Sequence, residues 1–236
     1  MSSDLPSSSV GTPSSAELPA LETGDRLTRE EFERRYEAMP HLKKAELIEG
    51  VVYLPSPVRF RKHGRPNRHL STWLGVYESS TPGVEGADNA SVRLDLDNEP
   101  QPDALLRIDP LRGGRSRTSD DDYVEGGPEL VVEVAASKVS YALHDKQKAY
   151  RRNGVCEYIV FRVLDREVDW FILRGGVYQE LHPDAAGILR SEVFPGLWLD
   201  AGAMIDGDLA RLLASLQNGL DGPEHAAIVK RLAKPS

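Results

Sequence analysis

The sequence holds a single cysteine, Cys156, in 236 residues. An intrachain disulfide is excluded, and so is a cysteine-rich zinc site. The setting of that cysteine, VCEYIV, is apolar and reads as a small core position. No apolar run approaches the roughly 20 residues needed to cross a bilayer. The opening MSSDLPSSSVGTPSSAELPA has neither the basic nor the apolar region of a signal peptide. A soluble cytoplasmic protein is the expectation. Positive charge is also in short supply: 29 Lys and Arg stand against 37 Asp and Glu, for a formal net charge of −8. Any contact with phosphate must therefore come from local patches. Aromatic residues make up only 7%, too few to favour the aromatic-lined cleft of a sugar hydrolase with paired carboxylates.

Hydrophobic residues make up 40%, enough for one sizeable core. Residues 1–24 are rich in Ser and Pro and read as a disordered tail. Residues 25–236 read as a single domain. Thr28, with Glu31 three positions on, forms a capping box and predicts a helix to about Met39. AELIEGVVYLPSP predicts two short strands around a Glu49-Gly50 turn. Leu70, Trp73, Leu74 and Tyr77 recur at helical spacing over 66–77. SVRLDLD alternates as a half-buried strand, PDALLRI reads as a strand, and 109–127 reads as a long polar loop. PELVVEVAA is a nearly continuous apolar run, as the centre of a sheet requires. VSYALHDKQKAYRRNG predicts a helix ended by Gly154. CEYIVFRV, EVDWFILRG, VYQELH and FPGLWLD supply further strands, and two helices close the chain. This order predicts an α+β or α/β fold with a central mixed sheet.

Glu133 lies inside the apolar run, between Val132 and Val134. A buried unpaired carboxylate costs several kcal/mol, to order of magnitude. Glu133 must either face water or meet a cation. Two more carboxylates accompany strands: Glu46 before Leu47-Ile48, and Asp103 before ALLRI. Three such groups suit Mg²⁺ or Mn²⁺, which take oxygen ligands and can polarise a phosphodiester. Lys146, thirteen residues after Glu133 on the next helix, is placed to hold or deprotonate a water or to offset charge on phosphate. Tyr150 falls on the same helix face as Lys146 and reads first as core packing.

Two basic clusters stand out. RFRKHGRPNRH carries Arg59, Arg61, Lys62, His63, Arg65, Arg68 and His69. RIDPLRGGRSR carries Arg107, Arg112, Arg115 and Arg117, with the acidic SDDD close behind. Both are candidates for contacting a nucleic-acid backbone. No base-reading motif accompanies them.

AELIEGVVYLPSP, QPDALL, GPELVVEVAAS, DKQKAYRRNGVCEYIVF and FPGLWLD together resemble the Uma family of restriction endonucleases, within the PD-(D/E)XK nuclease superfamily. The resemblance spans roughly residues 27–231. It implies a restriction-endonuclease-like core, a central mixed β-sheet flanked by helices. It also implies Mg²⁺- or Mn²⁺-dependent phosphodiester hydrolysis acting on DNA. Asp103 and Glu133 match the two acids of the motif and Glu46 the acid of the ELIEG segment; these three are the implied metal ligands. The superfamily pattern puts a lysine two residues after the second acid, where this chain has Ala135. The resemblance moves that role to Lys146, with Lys148 as the substitute. Ala135 also keeps open an alternative, a non-catalytic nucleic-acid-binding or protein-interaction module on the same fold. Enzymes that cut both strands often act as dimers, so a homodimer is a further expectation.

Overall fold

In the computed structural model, which describes residues 18–55, 57–136 and 141–233, Thr28 caps the first helix, α1 (Arg29–Glu37). Its hydroxyl accepts from the Glu31 N–H. Strands β1 (Glu46–Ile48) and β2 (Val51–Tyr53) pair antiparallel. Glu49 and Gly50 between them both have positive φ, 52° and 70°, as a tight hairpin turn demands. A π-helical turn, Phe60–Gly64, leads into α2 (Arg65–Ser80). Then come β3 (Val84–Ala87), β4 (Val92–Arg93) and β5 (Ala104–Ile108). The segment expected as a polar loop contains a 3₁₀ turn at Pro110–Arg112 and two short strands, β6 (Arg117–Thr118) and β7 (Val124–Glu125). β8 (Leu130–Ala135) and α3 (Tyr141–Arg152) follow. After them run β9 (Glu157–Arg162), β10 (Glu167–Arg174), β11 (Val177–Glu180), β12 (Ile188–Arg190) and β13 (Trp198–Asp200). Helices α4 (Ala201–Asp206), α5 (Leu209–Leu220) and α6 (Pro223–Leu232) close the described chain.

The main sheet has six strands in the order β11-β10-β9-β8-β5-β3. β8 and β9 run parallel and the other pairs antiparallel. Parallel neighbours need a crossover, and α3 provides it. The expected mixed sheet is present, with the PELVVEVAA strand inside it.

Alternation along β8 sorts its residues between two faces. Leu130, Val132 and Val134 join the larger core, with Trp73 and Tyr77 of α2 and Trp170 of β10. Val131 turns the other way, into a core with Tyr150 of α3 and Tyr158 and Val160 of β9. Glu133 has the parity of Val131, so it faces α3. A third core gathers Leu21, Phe32, Ala45, Leu47 and Val52 around the hairpin.

Three expectations change. Leu21 is buried, the Thr23 hydroxyl accepts from the Leu54 N–H and the Gly24 N–H donates to Val52 O, so residues 21–24 are tied to the fold rather than belonging to a tail; residues 1–17 lie outside the described residues. SVRLDLD yields only the two residues of β4, because Asp95 Oδ1 accepts from the Asp97 N–H and from the Asn98 side chain and folds the rest into a turn. β3, β12 and α4 are elements that the apolar patterning did not indicate. Among the described residues no helix is long and apolar enough to cross a membrane.

Candidate active site

The register of β5 on β8 sets Ala104 opposite Val132. Continued by one residue, it carries Asp103 to the side of Glu133, and Asp103 Oδ2 accepts from the Val134 N–H at 2.7 Å. The hairpin reaches the same place by another route. Leu47 and Glu99 exchange backbone hydrogen bonds of 2.8 and 3.1 Å, and the Gln101 N–H donates to Glu46 Oε1 at 2.7 Å. The chain from 99 to 103 thus ties the Glu46 strand to the start of β5.

From the opposite side α3 delivers Lys146. Its Nζ lies 2.7 Å from Glu46 Oε1 and 2.9 Å from Glu133 Oε1. The Tyr150 hydroxyl, one turn on, donates to the same Glu133 oxygen at 2.9 Å. The cation that Glu133 requires is therefore Lys146, supported by a phenol. Lys146, Glu133 and Asp103 are all buried. Lys148 pairs with Asp145 on the surface, whereas Lys146 lines the cleft. Tyr150 both packs in the core and orients Glu133.

Asp103 has its own two partners. His63 Nε2 lies 3.2 Å and Lys44 Nζ 3.7 Å from Asp103 Oδ1. Lys44 was not singled out from the sequence. No local pattern marks it: it lies outside the regular elements, just before β1, and only the fold brings it beside Asp103. A cleft of about 570 Å³ opens over this group, walled by Lys44, Glu46, Asp103, Glu133 and Lys146 and rimmed by Arg59, Lys62 and His63. Ala135 lines it as well, where the superfamily lysine would stand.

Burial pushes the Glu133 carboxyl up to about 7. The Lys146 ammonium opposes that shift, while Asp103 and Glu46 reinforce it. For Lys146 burial acts to lower the pKa, but the charges of Glu133 and Glu46 outweigh it and hold the amine protonated well above the usual lysine range. Asp103 is held below its ordinary value: burial would raise it, and the His63 hydrogen bond, Lys44 and the Val134 N–H more than compensate. Desolvation first, and then Glu133, keep the Tyr150 phenol protonated.

Three carboxylates converging on one cleft are the donor chemistry that Mg²⁺ or Mn²⁺ takes. Among the described residues, however, no three His, Cys, Asp or Glu side chains are already grouped as a metal shell. Lys146 holds Glu46 and Glu133 together in its place. The donor types fit a hard cation, and Glu46, Asp103 and Glu133 are the residues that would hold it.

The two basic clusters separate. From the first, Arg59, Lys62 and His63 stand at the acidic cleft, whereas Arg61 and Arg65 line a second cleft of about 450 Å³ with Phe60, Pro66, His69 and Phe161. The second cluster is committed elsewhere. Arg107 pairs with Glu85, Arg112 with Asp109 and the Leu232 carbonyl, and Arg117 with Glu125; Arg115 donates to Gly154 O. Arg112 and Arg115 serve local structure and do not line the cleft.

Residues 29–202 match the family model described as "Uma2: Putative restriction endonuclease". No curated protein matches the chain. Among solved structures, the crystal structure of a putative nuclease belonging to DUF820 from Anabaena variabilis is similar, with a TM-score of 0.55 and 13% identity. The match covers 74% of this chain and 97% of that one. At that identity it is the fold that the two share.

Proposed function

The chain belongs to the family described as "Uma2: Putative restriction endonuclease", and from that membership we propose that it is a metal-dependent endonuclease hydrolysing phosphodiester bonds in DNA. One observation carries this reading: Glu46 of β1, Glu133 of β8, Lys146 of α3 and Asp103, just before β5, meet in a single cleft with a basic rim. A Mg²⁺ or Mn²⁺ ion bound by the three acids would polarise the phosphodiester and lower the pKa of the attacking water.

The residues divide the remaining work. Lys146 is held protonated by two carboxylates, so it acts as a cation and hydrogen-bond donor rather than as a base. It offsets charge that builds on the phosphoryl oxygens. Glu133 is held by the Lys146 ammonium and the Tyr150 hydroxyl, which aim its carboxylate into the cleft as one of the three metal-binding acids. Asp103 stays ionised and holds His63 at the mouth of the cleft. Arg59 and Lys62, both solvent-exposed, supply the positive charge that draws in a polyanion against the acidic whole.

The test is calorimetric titration of Mn²⁺ into wild type and Asp103→Ala, with plasmid nicking measured on the same samples. Binding and nicking that are both present in wild type and both lost in the variant support the reading. Absence of both in wild type rejects it. The ion pairs already closed around Lys146, together with Ala135 at the superfamily lysine position, favour the second reading, a non-catalytic nucleic-acid-binding or protein-interaction module. It expects Asp103→Ala to bind nucleic acid as wild type does.

A further inference from the structure

Residues 57–62 form a run in which every side chain is exposed. Within it Phe60 is 73% and Val58 67% exposed. A phenyl ring left in water forgoes the burial that places most aromatics in cores. Here it is not on a loose loop. It opens the π-helical turn, whose backbone is fixed by the Gly64 N–H donating to Arg59 O and by the Arg65 N–H donating to Phe60 O.

That turn is a ridge between two clefts. Arg59, Lys62 and His63 face the acidic cleft, and Phe60, Arg61 and Arg65 face the second. His63, three residues from Phe60, contacts Asp103. Phe60 itself lines the second cleft, one residue from Arg59 at the acidic one, so a strand crossing from one cleft to the other would pass over this ridge. There it meets an aromatic face with a cation on each side in sequence, the combination that receives an unstacked base together with its phosphate. Bases inside a regular duplex have both faces covered and offer nothing to such a ring.

We infer that Phe60 is a stacking platform for a base beside the scissile phosphate, and that the enzyme takes single-stranded or locally unpaired nucleic acid in preference to regular duplex. This deepens the nuclease reading and rests on it. Phe60 stays clear of the reacting atoms, and its effect is on which substrate is held and how.

The experiment measures binding by fluorescence anisotropy, in EDTA so that nothing is cut. Labelled single-stranded, bulged and fully paired oligonucleotides are titrated with the full chain carrying Phe60, Phe60→Ala or Phe60→Trp. The single-stranded and bulged forms should bind tighter than the duplex. Phe60→Ala should weaken them by about five- to a hundredfold, the loss that removing one base–aromatic stack brings. Phe60→Trp should restore them. One abasic position in the strand should abolish the difference between wild type and Phe60→Ala. Equal affinities for all three oligonucleotides, or Phe60→Ala indistinguishable from wild type, overturn the inference while leaving the nuclease reading intact if Mn²⁺-dependent nicking persists. A shift of Phe60→Ala from dimer to monomer in sedimentation, with nucleic-acid binding unchanged, also overturns it and assigns the ring to an interface between copies. Failure of wild type to bind any oligonucleotide, in EDTA and again with Ca²⁺ in its place, overturns the inference, and the nuclease reading is then decided by the Mn²⁺ titration and nicking assay alone.

Discussion

Lys146 Nζ lies 2.9 Å from Glu133 Oε1, so a helix residue supplies the charge that the strand itself leaves unpaired. The same ammonium also holds Glu46 at 2.7 Å. Removing it leaves two poorly solvated carboxylates together. Lys146→Met should therefore cost about 3–5 kcal/mol of stability at neutral pH, the usual cost of breaking a buried pair by one partner. Lys146→Met combined with Glu133→Gln should recover part of that loss. Urea melts of wild type, Lys146→Met, Glu133→Gln and the double variant check this; an additive double variant would show that the pair is not coupled.

Tyr150→Phe removes one hydrogen bond to a buried carboxylate and leaves the ring packing in place. A loss of about 1.5–3 kcal/mol is expected, as for hydrogen bonds to charged groups. In the metal-free protein the Glu133 carboxyl should titrate higher still, read by NMR of the labelled carboxyl. A titration curve that coincides with wild type would show that the hydroxyl does not stabilise the Glu133 carboxylate.

Asp103 is held below its ordinary 3.8 by His63, Lys44 and a backbone N–H. The folded protein thus binds fewer protons there than the unfolded chain. The stabilisation is complete above the unfolded pKa and is lost as pH falls through the lowered folded value. Asp103→Asn should be less stable than wild type near neutrality, and the gap should close on acidification below about pH 4. A gap that is constant with pH would contradict the ion pairing.

Glu99 gives the opposite slope. Burial, and then the adjacent Glu33, push it from 4.5 up to about 8, and among the described residues its Oε2 has no hydrogen-bond partner. The folded state holds a proton that the unfolded chain releases, so this contribution is complete below about 4.5 and is lost as pH rises through about 8. Glu99→Gln should gain on wild type across that window, read as a difference in urea midpoint that grows with pH. A difference that stays flat would place the proton elsewhere.

Much of this fold is legible in the sequence because local chemistry and tertiary packing agree. Thr28 and Glu31 mark α1, Glu49-Gly50 marks the hairpin, and the Val-rich run marks an inner strand. Where the two disagree, the sequence misleads. Leu94, Asp95, Leu96 and Asp97 alternate like a strand, but the Asp95 carboxylate binds nearby N–H groups and bends the chain. VEGA, weak in strand formers, becomes β3 only because β5 lies beside it. The acids of the site were readable from their apolar flanks. Lys44 was not, because what makes it functional is the register that brings Asp103 within reach, and that register is set by contacts remote in sequence. Arg112 and Arg115 looked free for the converse reason: their partners, Leu232 O and Gly154 O, are backbone atoms that composition does not reveal.

The hairpin that carries Glu46 is built on a separate small core of Leu21, Phe32, Ala45, Leu47 and Val52. It is fastened to the sheet through the Leu47–Glu99 exchange and through Arg152, whose guanidinium grips the Glu49 carboxylate at 2.6 and 3.1 Å. Such a unit can open by itself at less free energy than global unfolding requires. When it does, the sheet keeps Asp103 and Glu133 while Lys146 loses one of its two counter-charges. Heat or denaturant should then silence the enzyme before the spectroscopic melt begins, with the amides of residues 46–53 exchanging ahead of those in β8 and β9. That order of loss would mean that the docking of one hairpin sets the margin of activity, and the sheet the margin of the fold.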